Sequence, residues 1–516
     1  MYRDYLAQSS PTWQQIVLIA VLVVPAVGAG LVALLPKRLE RPARLIATAF
    51  AAATFVLTLL LPIGRYASPG WFAYTPIGRP AVPWIDYRVS WVPALKVDFH
   101  LGVDGVSYPL IVLTALLTLL CCAYTVWKVP EGGSGRTLVA LLLVLEVGIL
   151  GTFLALDLVL FFLFFEVVLL PMYAVIAGWG GEQRRPAARK FVLYTLFGSV
   201  LLLLGVLTVV VAAGTGDMLA LAGGGPLSHT TQCVAFALFA VAFAVKAPLW
   251  PLHTWLPDAH TQAPTVGSVI LAGVLLKMGT YGLIRIGVGV TPQGAHWAAP
   301  VLGILAAVAI LAGSLICLRQ TELKRLIAYS SVGHMGFVLL GIATLTVTGL
   351  QAALLGNVAH GLITGLLFFL AGAIKDRAHT GELADLGGLR ESAPRLAGLL
   401  GFAAIASLGL PGLAGFWGEA FAVVAAVQRG GPLWLTLGAL AAVGGALTAA
   451  YFLRLLRRLT HGRATEAVCA LRPSIARAEW IAWAPLILLV LIVGLAPALV
   501  LAATSAPVEA LTGALR

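Results

Sequence analysis

Seven ionisable side chains stand inside long apolar stretches: Glu146, Glu166, Lys246, Lys277, His334, His360 and Glu419. A lysine at bilayer depth costs about 2.5–3.5 kcal/mol on insertion scales, so each such charge needs a partner or a task. Glu166 lies in FFLFFEVVLLPMY and Lys246 in AFAVKAPLWPLHTW. Burial favours the neutral form of each group and a nearby opposite charge favours the charged form. A Glu–Lys pair whose separation can change is therefore a device for taking up and releasing a proton, with Glu166 modulating Lys246. The plainer alternative is a static ion pair. Lys277 sits mid-span in LAGVLLKMGTYG, and His334 (SSVGHMGF) and His360 (NVAHGLITG) can connect it to Glu419. Histidine changes charge near neutral pH, which suits a relay. A lone membrane histidine is more often a packing residue, but two between ionisable neighbours favour the relay. Glu419 is expected to be the terminal proton site, and Glu146 to belong to the same series.

Other polar groups have simpler expectations. Asp104 and Asp157 lie near span ends or in short loops, where capping or a solvated face explains them, and Lys375, Asp376 and Arg377 read as a solvated helix end. Asp258 stands apart because it adjoins the prolines after Lys246. Tyr329, Ser330 and Ser331 can extend a hydrogen-bonded chain. The five cysteines form no C-x-x-C pair, and no phosphate-binding glycine loop, metal-ligand cluster or nucleophile–base signature stands out. The sequence thus predicts no metal and no NADH, flavin or ATP site on this chain.

The elements that must hold these residues are membrane helices. Of 516 residues, 60% are hydrophobic and 10% charged, where soluble domains carry about 25% charged residues. The net charge of +12 fits topology-setting loop arginines better than nucleic-acid binding. Runs of about 20 apolar residues match a hydrocarbon core of roughly 30 Å. They number about fourteen, giving an all-α polytopic fold that ends in a span at 479–503. Residues 66–101, rich in Trp, Pro and Tyr, are expected to form an extramembrane cap. Loops after odd-numbered spans hold 23 of the 33 Lys and Arg; the opposite side holds eight, Arg285 included, and Lys246 and Lys277 remain. That bias puts the richer side in the cytoplasm and both termini outside.

Two spans are interrupted, at 232–252 near Lys246–Pro251 and at 395–426 near Ser407–Gly418. Each break falls in the fourth span of a five-span unit. The sequence therefore predicts residues 1–136 as three leading spans with the cap, 137–288 and 299–456 as two inverted five-helix repeats, and 457–516 as a loop and final helix. Inverted repeats with discontinuous helices place ion sites at the breaks. No residue-level repeat is evident between the units, so the symmetry rests on spacing alone.

The segments FFEVVLLPMY, AFAVKAPLWPLHTWLPDAHTQAPTVGSVILAGVLLK, ELKRLIAYSSVGHMGF, NVAHGL and GLPGLAGFWGEAF resemble the antiporter-like subunits of respiratory complex I, from about Phe99 to Leu456. Within that family the chain is most similar to the M-type (chain 4) branch, because Glu419 stands where other branches usually carry lysine. The resemblance implies that Glu166 and Lys246 form the pair of a first half-channel and Lys277 the central lysine. His334 and His360 would be the link, Glu419 the exit-side carboxylate, and Glu146 a family membrane glutamate. It also implies one proton-translocating module of a bacterial plasma-membrane enzyme, among other membrane and peripheral subunits and neighbouring antiporter-like subunits. NADH, FMN, iron–sulfur clusters and quinone would sit on those partners. The alternatives within the same fold are a multisubunit cation/proton antiporter and a membrane-bound hydrogenase subunit.

Overall fold

The structure, a computed structural model, describes residues 11–63, 83–93, 97–471, 473–513 and 515. Residues 66–82 and 94–96 of the expected cap lie outside the described residues, as do Arg3, Arg65, Arg79, Lys96, Arg472 and Arg516 of the charge count. Helices α1 (Thr12–Leu34) and α2 (Glu40–Leu60) precede an antiparallel hairpin of β1 (Ile85–Val92) and β2 (Val97–Val103). Then come α3 (Tyr108–Trp127), α4 (Gly135–Leu154), α5 (Leu158–Trp179) and α6 (Arg184–Ala213). Helix α7 is split into α7a (His229–Lys246) and α7b (Trp255–Gln262), and α8 (Thr265–Val288) closes the first group. The second comprises α9 (Pro292–Arg319), α10 (Leu323–Ala343), α11 (Val347–Ala378), the halves α12a (Pro394–Ser407) and α12b (Ala414–Arg429), and α13 (Gly431–Thr460). Two more follow, α14 (Arg477–Leu495) and α15 (Ala498–Gly513).

Among the described residues, 13 spans are long and apolar enough to cross a membrane. The fourteenth expected span is α12, whose halves of 14 and 16 residues are each too short alone. Both predicted breaks are present. Several boundaries differ from expectation. The hairpin is an element that the all-α reading left out. Helix α9 begins before residue 299, because Pro292 sits in its first turn, where the missing N–H costs nothing. The last span is not continuous over 479–503: α14 ends before Pro497 and α15 starts anew. Helix α5 has a turn at Val168, where Pro171 cannot supply the N–H for the preceding turn.

Each of the two groups carries a clasp of the same form. Leu158 N bonds Gly216 O at 2.9 Å and Met218 N bonds Leu156 O at 2.9 Å. In the second group Leu323 N bonds Gly381 O at 2.9 Å and Leu383 N bonds Thr321 O at 2.7 Å. Asp157 and Glu322 cap α5 and α10, accepting from Val159 N at 2.8 Å and Arg325 N at 2.5 Å. A Cβ on Gly216 would lie 2.7 Å from the Asp157 carboxylate, and one on Gly381 would lie 2.5 Å from that of Glu322. The clasp is written in sequence as Thr215–Gly216–Asp217 and Thr380–Gly381–Glu382. Burial pushes both capping carboxyls above their ordinary values, against the backbone N–H groups that hold them. The first clasp adjoins the hairpin, through a Leu101–Ala155 bridge. Five helices, an odd number, separate equivalent points, which carries the second clasp to the opposite side.

Candidate functional site

Lys246 is the last residue of α7a and is 2% exposed. The break beside it follows from Pro248, which cannot donate to Ala244 O; Leu249 N takes that carbonyl instead at 2.9 Å. The Trp255 indole N–H donates to Val245 O at 3.0 Å, so α7b repairs the carbonyl exposed by the break. The polar WLPDAH segment is itself the second half of α7. The Lys246 ammonium lies 4.6 Å from the centre of the Phe165 ring, one residue before Glu166. Its contact is with a ring face and not with a carboxylate. Glu166 is half-buried on α5, beside the turn at Val168.

Lys277 is fully buried on α8, between π-helical turns at Leu271–Leu275 and Leu283–Val288. Such wide turns are frequent at functional positions. Its ammonium donates to Ala272 O at 2.5 Å and meets His360 Nδ1 at 2.6 Å. The neighbouring Thr280 hydroxyl donates to Asn357 Oδ1 at 2.9 Å, a second tie between α8 and α11. The His360 ring centre lies 5.6 Å from that of His334. His334 Nδ1 is 2.8 Å from Glu419 Oε1 and its Nε2 is 3.0 Å from Ser407 Oγ. A cavity of about 30 Å³ lies among His334, His360, Ser407 and Glu419, room for one water. Gly418 permits this approach, since a Cβ there would stand 2.6 Å from Gly356 Cα on α11.

The structure thus brings Lys277, His360, His334 and Glu419 into one polar series. Lys246 and Glu166 form a second group, joined to the first by backbone packing: a Cβ on Gly279 would lie 2.8 Å from both Phe243 O and Ala247 N. Glu146 is fully buried on α4, and neither carboxylate oxygen has a hydrogen-bond partner among the described residues. It joins neither group.

Other expectations resolve one by one. Asp157 caps α5, whereas Asp104 accepts from Val106 N and Ser107 N in the turn before α3 and pairs with Arg285. Arg285, counted as a loop charge, is buried in α8. Lys324, also counted as a loop charge, is 5% exposed and donates to Ala263 O at 3.1 Å. Asp258 pairs with Lys190 at 2.6 Å and tethers α7b to α6. Arg377 is not merely solvated: it grips Glu479 of α14 through both carboxylate oxygens at 2.7 and 2.6 Å. Ser330 and Ser331 both donate back to Ile327 O at 2.8 and 3.3 Å. Sequence reasoning passed over His260, which is buried with its ring stacked on Phe368 at 4.4 Å. It lies between Lys246 and Lys277 in sequence, and only its position within a helical half signals its burial.

Residues 155–445 match the family described as NADH:quinone oxidoreductase/Mrp antiporter, transmembrane. The chain belongs to this family. A relative named NADH-quinone oxidoreductase subunit M, from Rhodobacter capsulatus, is 40% identical over 493 residues, covering 93% of this chain and 91% of the relative. One named NAD(P)H-quinone oxidoreductase chain 4 1, from a Synechococcus species, is 45% identical over 380 residues, covering 73% and 72%. Among solved structures, a chain of respiratory complex I from Thermus thermophilus superposes with TM-score 0.81 at 31% identity, covering 95% of this chain and 99% of that one. A chain of the Mrp complex from a Dietzia species shares the fold, with TM-score 0.81 at 23% identity over 98% of this chain and 100% of that one. The match spans both clasps, both broken helices and all of the seven ionisable residues singled out from the sequence except Glu146.

Proposed function

We propose that the chain is a proton-translocating membrane subunit of an NADH:quinone oxidoreductase, coupling electron transfer in partner subunits to proton movement through a buried relay. The observation that carries the reading is the Lys277–His360–His334–Glu419 series, four titratable groups linked at 2.6, 5.6 and 2.8 Å across four helices. Relatives named as subunits of that enzyme support the assignment, and electrons would pass through NADH, FMN, iron–sulfur and quinone sites on the partners. Helices α4–α8 and α9–α13 are the two inverted units, and their equivalent clasps on opposite faces support that division. The Lys and Arg bias places the basic face in the bacterial cytoplasm and both termini outside.

In the relay, Glu166 and Lys246 act across a gap. Their interaction changes with separation, and the break after Lys246 supplies backbone that can move without melting a whole helix. Lys277 passes the resulting proton to His360, with which it already shares a short contact. His334 hands it to Glu419, and the water-sized cavity bridges the two rings. Replacing Lys246 by Ala in the assembled enzyme should severely reduce redox-coupled pumping while electron transfer persists. A wild-type proton-to-electron ratio in vesicles carrying that variant overturns the relay.

A further inference from the structure

On α8, Lys277, Tyr281 and Arg285 follow at four-residue spacing and line one side of the helix. At 1.5 Å per residue, Arg285 stands about 12 Å from Lys277, toward the hairpin face. Arg285 is 9% exposed and its guanidinium is bonded to the Asp104 carboxylate. Asp104 is fixed in turn by the N–H groups of Val106 and Ser107 at 3.0 and 3.1 Å. Arg285 Nε donates to the Tyr281 hydroxyl at 3.2 Å, and that hydroxyl donates to Phe153 O at 3.1 Å. The Tyr281 ring meets Phe153 edge-on at 5.1 Å and stacks with Phe161 at 6.4 Å. Beyond the ion pair a cavity of about 160 Å³ opens beneath α15, lined by Asp104, Met218, Arg285 and Pro507. A path from Lys277 to that cavity would have to cross first an aromatic layer and then a fixed guanidinium.

We propose that Tyr281, Arg285 and Asp104 form a seal that closes the hairpin side of the first unit, so that a proton at Lys277 leaves only sideways through His360. The inference rests on the relay reading of Lys277. A fixed arginine repels protons entering a narrow path, and an apolar constriction empties it of water. Asp104 holds the guanidinium in place and keeps the burial of its charge tolerable. Removing either partner alone would leave an uncompensated buried charge. The relay needs such a seal, because the cavity beneath α15 otherwise offers Lys277 a direct way out that bypasses Glu419.

The test uses the assembled enzyme in proteoliposomes, with electron transfer blocked by a quinone-site inhibitor, and follows the decay of an imposed pH step. The Asp104→Asn/Arg285→Gln double variant removes both charges without stranding one. It is expected to dissipate the step several-fold faster than wild type, and to pump fewer protons per electron at undiminished electron transfer when uninhibited. Wild-type decay with wild-type pumping overturns the seal. If the double variant does not assemble, Tyr281→Phe decides: it keeps the ring and loses both hydrogen bonds, and should leak measurably, whereas wild-type tightness overturns the proposal. Lys277→Ala, measured in parallel, separates the two ideas. Its pumping is lost if the relay reading holds, whatever the seal variants do, and is unchanged if that reading fails.

Discussion

In α7 the charge comes just before the break, and in α12 it comes just after. The two settings differ in kind. Lys246 is 2% exposed, and its ammonium rests 4.6 Å from the centre of a phenylalanine ring. Glu419 meets His334 at 2.8 Å, and that histidine is held by Ser407 from the far side of the same break. The first site is apolar, and its ammonium rests against an aromatic ring face. The second is wired by hydrogen bonds, along which a proton can step without moving a helix. On the proposed relay the first site would be a sensor and the second a conductor, with Lys277 between them.

The largest effect on that comparison should come from Lys277, which serves both ends. Lys277→Ala removes a charge-assisted hydrogen bond of about 1.5–3 kcal/mol. Pumping in vesicles should fall by roughly an order of magnitude or more, and pumping at the wild-type ratio would break the link between the units. Next comes the apolar site. Glu166→Asp should retain more pumping than Glu166→Gln, because the sensor needs charge rather than shape; equal rates would make Glu166 a structural residue. The smallest effects should separate the two settings. Ser407→Ala loses one neutral hydrogen bond, about 1 kcal/mol, and should slow pumping only several-fold. Phe165→Leu loses a cation–π contact of about 0.5–2 kcal/mol and should alter the response of Lys246 while leaving the His334–Glu419 contact intact. Vibrational difference spectra of the carboxylate report that contact; a changed Glu419 signal in Phe165→Leu would show that the two ends are not independent.

Some features were legible locally and still went unread. The Thr–Gly–acid triplets at 215–217 and 380–382 pair with the acid–Leu steps at 157–158 and 322–323 at equal spacing. Each match is only a few residues long, and the hydrogen bonds of the clasps give the two their common meaning. Arg285 and Lys324 were misplaced for another reason. A cation near a span end looks the same in sequence whether it faces water or folds inward, and only the carboxylate or carbonyl awaiting it decides. Arg377 likewise reads as a solvated end until α14 brings Glu479 to it.

By itself the sequence determined the helical membrane fold, the two broken spans and the identity of the buried titratable groups. These depend on composition and on proline, which act over a turn or a span. Tertiary structure decided which of the groups meet. Lys277 and His360 are 83 residues apart, and His334 and Glu419 are 85. Whether such side chains touch depends on how helices rotate and how closely glycines such as Gly279 and Gly418 let them pack. The same packing left Glu146 apart from the series and set Asp104 against Arg285, because contacts between helices are fixed by shape complementarity across the whole bundle and not by any one stretch of chain.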